Sequence, residues 1–195
     1  MKILAFTDIH ASSAYLKIIA KKARRADLLI CSGDFTLYMR GFAKVIDALR
    51  KIEKPVLLLH GNHEDATQVL AAARDNIIFL HKQIYRVGDY LFLGHGGGGF
   101  ALTDKLLEKR LPILKKYAQG AKKLIFVTHG PPFGTELDYL PWAEHVGCRT
   151  ITEAIRTLQP HLYLCGHLHE NFRVKQQLGK TLMINPGPEG VLIEI

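Results

Sequence analysis

Lys2-Ile3-Leu4-Ala5-Phe6-Thr7-Asp8-Ile9-His10 opens the chain, and its reading decides the fold. Lys2–Thr7 is a short apolar run, the pattern of a strand buried on both faces, and it ends abruptly in Asp8 and His10. The same event recurs along the chain. Leu28–Cys31 reads as a strand followed by Gly33-Asp34, and Pro55–Leu59 as a strand followed by Gly61-Asn62-His63. Lys123–Thr128 runs into His129, and Leu162–Cys165 into Gly166-His167-Leu168-His169. Ligands of α/β sheets bind beyond the carboxyl ends of the strands. Five strand ends that deliver only Asp, Asn and His have the composition of a metal site. Gly33, Gly61 and Gly166 each stand just before a candidate ligand, where the absence of a Cβ lets the backbone turn sharply. An extended His167-Leu168-His169 would point both imidazoles to one face.

Between the strands lie helix-period segments. Tyr15–Arg25 carries Leu16, Ile19, Ala20 and Ala23 on one face, and Gly41–Lys51 carries Phe42, Val45, Ile46 and Leu49. A short helix is predicted near Asp65–Ala73, and a longer one over Thr103–Gln119, broken or kinked at Pro112. Another starts near Thr150, where Thr150 and Glu153 fit a capping box, with Ile151, Ile155 and Leu158 as its apolar face. Ile77–Phe79, Gln83–Val87 and Tyr90–Gly94 read as short strands, with Gly88-Asp89 as a hairpin turn. The tail reads as strands over Asn171–Gln177, Thr181–Ile184 and Val191–Ile195. Buried strands, helices and hairpins together predict an α/β fold with a mixed sheet, or two sheets packed face to face.

Length and charge bound the rest. At 195 residues the chain suits a single domain, 1–195, with a sizeable core. Its apolar runs are too short to span a bilayer, and no signal-peptide pattern precedes Asp8. Cys31, Cys148 and Cys165 are odd in number and scattered, which gives no disulfide framework and points to a reduced, cytoplasmic setting. The net charge of +8 suits an anionic partner such as a phosphate ester. Nucleic acid is allowed by that charge but not indicated, because no basic stripe interleaved with aromatics is present.

Asp8-Ile9-His10, Gly33-Asp34, Gly61-Asn62-His63-Glu64, His129 and Gly166-His167-Leu168-His169 together resemble the calcineurin-like metallophosphoesterases. All five blocks of that family's pattern stand in order over residues 8 to 169. The resemblance implies a four-layer α/β/β/α sandwich with mixed sheets, as in small single-domain microbial members. It implies that Asp8, His10, Asp34 and His169 hold one divalent ion, and that Asp34, Asn62, His129 and His167 hold a second, with Asp34 bridging. It makes His63 a catalytic histidine that is not a ligand. Two ions about 3.5–4 Å apart would supply a bridging hydroxide and neutralise the phosphate oxygens. The mixed N/O ligand set suits Mn²⁺ first, then Fe, Zn²⁺, Co²⁺ or Ni²⁺.

The expected activity is hydrolysis of phosphate esters, with phosphodiesters favoured. A phosphomonoesterase, a nuclease and a non-catalytic scaffold on the same fold are the alternatives. After Gly33-Asp34 the chain reads Phe35-Thr36-Leu37-Tyr38-Met39, without the second Asp and the Arg of the family's Ser/Thr protein phosphatases. The aromatic segment Phe133–His145 follows His129, and it is expected either to stack on a substrate ring, or to fold onto the core or make an oligomer contact. His60, His95 and Cys165 are read as a strand end, a loop neighbour and a core residue, and Gly96–Gly99 as a surface loop.

Overall fold

The computed structural model describes residues Met1–Ile195. The first half runs β1 (Lys2–Phe6), α1 (Ser13–Ala23), β2 (Leu28–Cys31), α2 (Phe42–Arg50), β3 (Val56–Leu58), α3 (Ala66–Ala72) and β4 (Ile77–Phe79). A hairpin β5 (Ile84–Val87) and β6 (Tyr90–His95) follows, then α4 (Lys105–Ala118) and β7 (Lys123–Thr128). The chain continues through β8 (Tyr139–Leu140), β9 (Glu144–His145), α5 (Arg149–Leu158) and β10 (Leu162–Leu164). It ends in β11 (Lys175–Leu178), β12 (Thr181–Ile184) and β13 (Val191–Glu194).

Two mixed sheets result. The first has the order β13-β1-β2-β3-β4, with β13 antiparallel to β1 and the rest parallel. The second has the order β11-β12-β10-β7-β6-β5, with parallel pairs at its centre and antiparallel hairpins at both edges. Alternation along the strands sorts the side chains into layers. Leu4 and Phe6 of β1 face Ile19 of α1, Val45 and Leu49 of α2 and Val69 of α3. Ile3 and Ala5 face inward, against Ile125 and Val127 of β7 and Leu162 and Leu164 of β10. The far face of the second sheet, with Leu93, Phe126 and Tyr163, packs on Leu107 and Leu114 of α4 and Ile151 and Ile155 of α5. The fold is therefore the four-layer α/β/β/α sandwich, with three apolar layers holding the sheet edges in register. No helix is long and apolar enough to cross a membrane.

Several local expectations are corrected. Helix α4 runs unbroken through Pro112. The proline lies on the exposed side, so its missing N–H faces water, while Leu107 and Leu114 anchor both halves to the core. Thr150 and Glu153 form no capping box: α5 begins at Arg149 with Cys148 at the cap and no side-chain cap bond. Instead the Thr150 hydroxyl donates to Glu108 (2.9 Å) and accepts from the Asp104 N–H (3.0 Å), tying α5 to α4. His167-Leu168-His169 is not extended. His167 is left-handed (φ 72°) and His169 opens a 3₁₀ turn over His169–Asn171, which displaces the strand expected at Asn171 to Lys175–Leu178.

Candidate metal centre

All eight residues singled out from the sequence meet at one edge, where β1, β2, β3, β7 and β10 end. The side-chain donors fall into overlapping groups within 4.8 Å: Asp8, His10 and His169; then Asp34, His129 and His167. His63 joins His10 and Asp34 in a third group, its Nε2 3.7 Å from Asp34 Oδ2. Asn62 Oδ1 lies 3.0 Å from His129 Nε2. Asp34 is thus the residue common to the second and third groups, and His10 links them to the first.

The backbone reaching this edge is strained. Asp8 (φ 53°), His10 (φ 44°), Asp34 (φ 47°) and His167 (φ 72°) are all left-handed, a conformation rare outside glycine and concentrated at functional sites. Gly33 (φ 108°) turns as the sequence led us to expect. Gly61 and Gly166 act by proximity instead. A Cβ at Gly61 would lie 2.0 Å from Asp34 Oδ1, and one at Gly166 would lie 2.0 Å from Thr7 Oγ1.

Hydrogen bonds from the surrounding shell fix which ring nitrogen faces inward. His10 Nδ1 donates to the Thr36 carbonyl (2.9 Å) and His129 Nδ1 to the Ser32 carbonyl (3.0 Å). In neutral rings both Nε2 atoms therefore present lone pairs. The His10 lone pair meets His169 Nε2 at 3.2 Å. The His129 lone pair meets two oxygens, Asn62 Oδ1 at 3.0 Å and Asp34 Oδ2 at 3.3 Å. At His129 these acceptors need a cation between them, either a proton or a metal ion, whereas the His10–His169 contact is also met by a His169 ring that donates through Nε2–H. Asp8 Oδ1 and His167 Nε2 are buried without a hydrogen-bond partner, which adds two free donor atoms to the two sides of the cluster. Asp8 Oδ2, by contrast, is occupied by the Thr7 hydroxyl (2.7 Å) and the His167 N–H (3.0 Å), so the free oxygen is held in one direction. The residues present fit a two-ion centre.

The titration of the site agrees with that crowding. Burial pulls His129 down, but its contact with Asp34 and the charges of Asp34 and Asp8 outweigh this and lift it to about 9. Burial raises Asp34, and His129 and His63 overcome it, bringing Asp34 to about 2. Burial and the neighbouring His129 push His167 down to about 4, leaving it a neutral lone-pair donor. Asp8, 3.6 Å from His169 Nε2, raises His169.

The sequence pattern assigns Glu64 no role, and the structure supplies one. Its Oε1 accepts from the Thr36 N–H and hydroxyl (both 2.7 Å), and its Oε2 from the Gly61 N–H (2.9 Å) and the Asp34 N–H (3.1 Å). One buried carboxylate thereby ties the turn after β2 to the turn after β3. An acid directly after Asn62-His63 was the available signal. His60, expected to end the strand, lies two residues beyond β3, buried and packed edge-on against His81. His95 ends β6 beside the Gly96–Gly99 loop, as expected, and it also supports α4 from below, bonded through Nε2 to the N-cap residue Asp104 (2.7 Å). Cys165 sits in the outer core layer. In Phe133–His145 the rings of Phe133 and Tyr139 pack on His145, which donates through Nδ1 to buried Asp138 (2.9 Å). This segment folds on itself around Asp138.

A family model described as calcineurin-like phosphoesterase matches residues 1–171. Metallophosphoesterase domain-containing protein 1 of Homo sapiens is 40% identical over 63 residues, which is 31% of this chain and 19% of that protein. The Mus musculus protein of the same name matches equally, so the match spans about a fifth of the length of these relatives. Among solved structures, TT1561 of Thermus thermophilus superposes with a TM-score of 0.76 at 20% identity, covering 95% of this chain and 88% of that one. A dimetal phosphatase from Danio rerio superposes with a TM-score of 0.65 at 11% identity, covering 94% and 86%. At those identities the superpositions establish the fold, and the family model covers the five sequence blocks: the chain belongs to the calcineurin-like phosphoesterase family.

Proposed function

We propose that residues 1–195 act as one domain, a two-metal phosphoesterase that prefers phosphodiesters. Family membership makes it a metal-dependent hydrolase of phosphate esters. The finer reading rests on one observation: on one side of the cluster the lone pair of His129 Nε2 is held against Asn62 Oδ1 and Asp34 Oδ2 at 3.0–3.3 Å, and on the other the donor atoms of Asp8, His10 and His169 gather within 4.8 Å, an arrangement that two cations satisfy. Asp8, His10, Asp34 and His169 would hold one ion and Asp34, Asn62, His129 and His167 the other. When bound, two divalent ions supply Lewis acidity and an activated water.

The chain's own residues do the rest. The carbonyls of Thr36 and Ser32 and the carboxylate of Glu64 keep the donor atoms aimed before any ion arrives. His63 Nδ1 accepts from the Tyr38 N–H (3.3 Å), so a neutral His63 carries its proton on Nε2, the nitrogen nearest Asp34. That makes Nε2 a hydrogen donor to the leaving oxygen rather than a ligand. The diester preference is supported by the open rim: His169 is 54% exposed in its side chain, which leaves room for a second ester arm. The sequence after Asp34 lacks the Asp and Arg of the protein phosphatases. Mn²⁺ is the proposed native ion, on the mixed N/O donor set. The test is hydrolysis of bis-p-nitrophenyl phosphate against p-nitrophenyl phosphate by metal-stripped protein reloaded with Mn²⁺, with Asp34→Asn as control. Diester turnover that needs metal and vanishes in the control is expected. Monoester preference would overturn the diester reading, and no turnover in folded, metal-loaded protein would overturn the enzyme.

A further inference from the structure

Two of the most exposed aromatic side chains in the molecule touch histidines of the site. Tyr38 is 72% exposed and Phe100 is 67% exposed. The Tyr38 ring meets His63 edge-on at 4.2 Å between centroids, and the Phe100 ring meets His167 edge-on at 4.7 Å. His63 and His167 both lie close to Asp34, so the two rings flank the point where the phosphate would sit.

Neither placement is incidental to the backbone. Tyr38 and Met39 are both left-handed (φ 49° and 64°), and the turn is held by the Met39 N–H on the His63 carbonyl (3.1 Å) and the Arg40 N–H on the Leu37 carbonyl (3.0 Å). Phe100 ends the Gly96–Gly99 loop. That loop is seated at its base, where the Gly96 N–H donates to His81 Nδ1 (2.9 Å) and the Gly97 N–H to the His60 carbonyl (2.9 Å). A Cβ at Gly96 would lie 2.6 Å from His60 Nδ1, so the loop needs glycine to descend onto His60. At its other end the Leu102 carbonyl accepts from the Arg149 N–H (2.8 Å). The loop is thus pinned on both sides of Phe100. Strained and pinned backbone that holds a large apolar ring in water, on the rim of a polar site, adds nothing to the core.

We propose that Tyr38 and Phe100 form an aromatic rim that stacks the planar ring of the substrate's organic portion, an aryl group or a nucleobase. The inference rests on the phosphoester reading of the site. Rings of this kind favour offset or edge-on partners and accept any flat π-face. The rim selects aromatic esters over alkyl esters. Phe133 and Tyr139 of the Phe133–His145 segment, by contrast, pack on His145.

Binding of non-hydrolysable phosphonates separates this from catalysis. Dissociation constants of the monomethyl esters of phenylphosphonate, of methylphosphonate and of the methylenephosphonate analogue of a nucleoside monophosphate, which carry two organic arms as a diester does, are measured by calorimetry on Mn²⁺-loaded protein. The wild type is expected to bind one or both aromatic ligands at least about tenfold tighter than the methylphosphonate ester, and which one identifies aryl or nucleobase. Tyr38→Asn, which tolerates the left-handed backbone, and Phe100→Ala should each lower that ratio toward one, by about fivefold or more, while Tyr38→Phe retains it. Metal content, measured on each variant, should stay at the wild-type level. Equal binding of methyl and aromatic phosphonates, or equal losses for both in the variants, would overturn the rim. Binding of no phosphonate at all would overturn the phosphoester reading and the rim with it.

Discussion

Replacing Glu64 by Gln keeps shape and removes one acceptor, which makes it a sharp probe of how the metal site is held. The carboxylate accepts four hydrogen bonds and donates none. The amide nitrogen must replace one oxygen. At Oε2 it would confront two N–H groups, of Gly61 and Asp34. At Oε1 it confronts only the Thr36 N–H, because the Thr36 hydroxyl can rotate and accept. The second arrangement is the better one, and it leaves a single backbone donor orphaned. An orphaned buried N–H costs about 1–3 kcal/mol, and the remaining bonds each lose their charge assistance, about 1 kcal/mol apiece. Burial pushes the Glu64 carboxyl up, so neutralising it returns part of that sum. The net is about 2–4 kcal/mol, or on the order of 4–16 °C in Tm for a chain of this size. Because Asp34 is one of the tethered residues, metal affinity should fall about 10- to 100-fold as well. Thermal unfolding of metal-free protein measures the first effect, and Mn²⁺ titration the second. A Glu64→Gln protein with wild-type Tm and wild-type metal affinity would refute the tethering role.

His63→Ala should lower kcat about 10²- to 10⁴-fold with metal content unchanged, read by turnover beside elemental analysis; loss of metal would instead make His63 a ligand. Gly61→Ala should destabilise the fold by about 1–3 kcal/mol and reduce metal uptake, because its Cβ would fall 2.0 Å from Asp34 Oδ1. The metal-free protein should carry a pH signature from the His129–Asp34 pair. His129 rises from 6.5 to about 9 on folding, so its contribution is complete below pH 6.5 and lost as pH climbs through 9. Asp34 falls from 3.8 to about 2, so its contribution is present above pH 3.8 and lost as pH drops through 2. Metal binding at pH 7 must displace the His129 proton, so calorimetry in buffers of different ionisation enthalpy should show release of roughly one proton.

The sequence exposed the site more fully than it exposed the scaffold's details. Asp8, Asp34, Asn62 and His129 are legible because each follows an apolar strand run, and runs of that kind end where the sheet ends. What stayed hidden depends on tertiary contact. The role of Glu64 needs the turn after β2 to lie against the turn after β3, which no local pattern encodes. The bend at His167 is set by a hydrogen bond from its N–H to Asp8, 159 positions away, so an alternating His-x-His reading as extended strand fails. Thr150 mimicked a capping residue because its partners, Glu108 and Asp104, belong to another helix. Pro112 is tolerated because its side of α4 faces water, a fact of packing and not of propensity.

The most direct test of the account is anomalous diffraction from Mn²⁺-loaded crystals at the manganese edge. Two peaks about 3.5–4 Å apart are predicted, one beside Asp8, His10 and His169 and one beside Asn62, His129 and His167, with Asp34 between them. A single peak, or manganese bound away from Asp34, would contradict the two-metal centre on which the proposed chemistry depends.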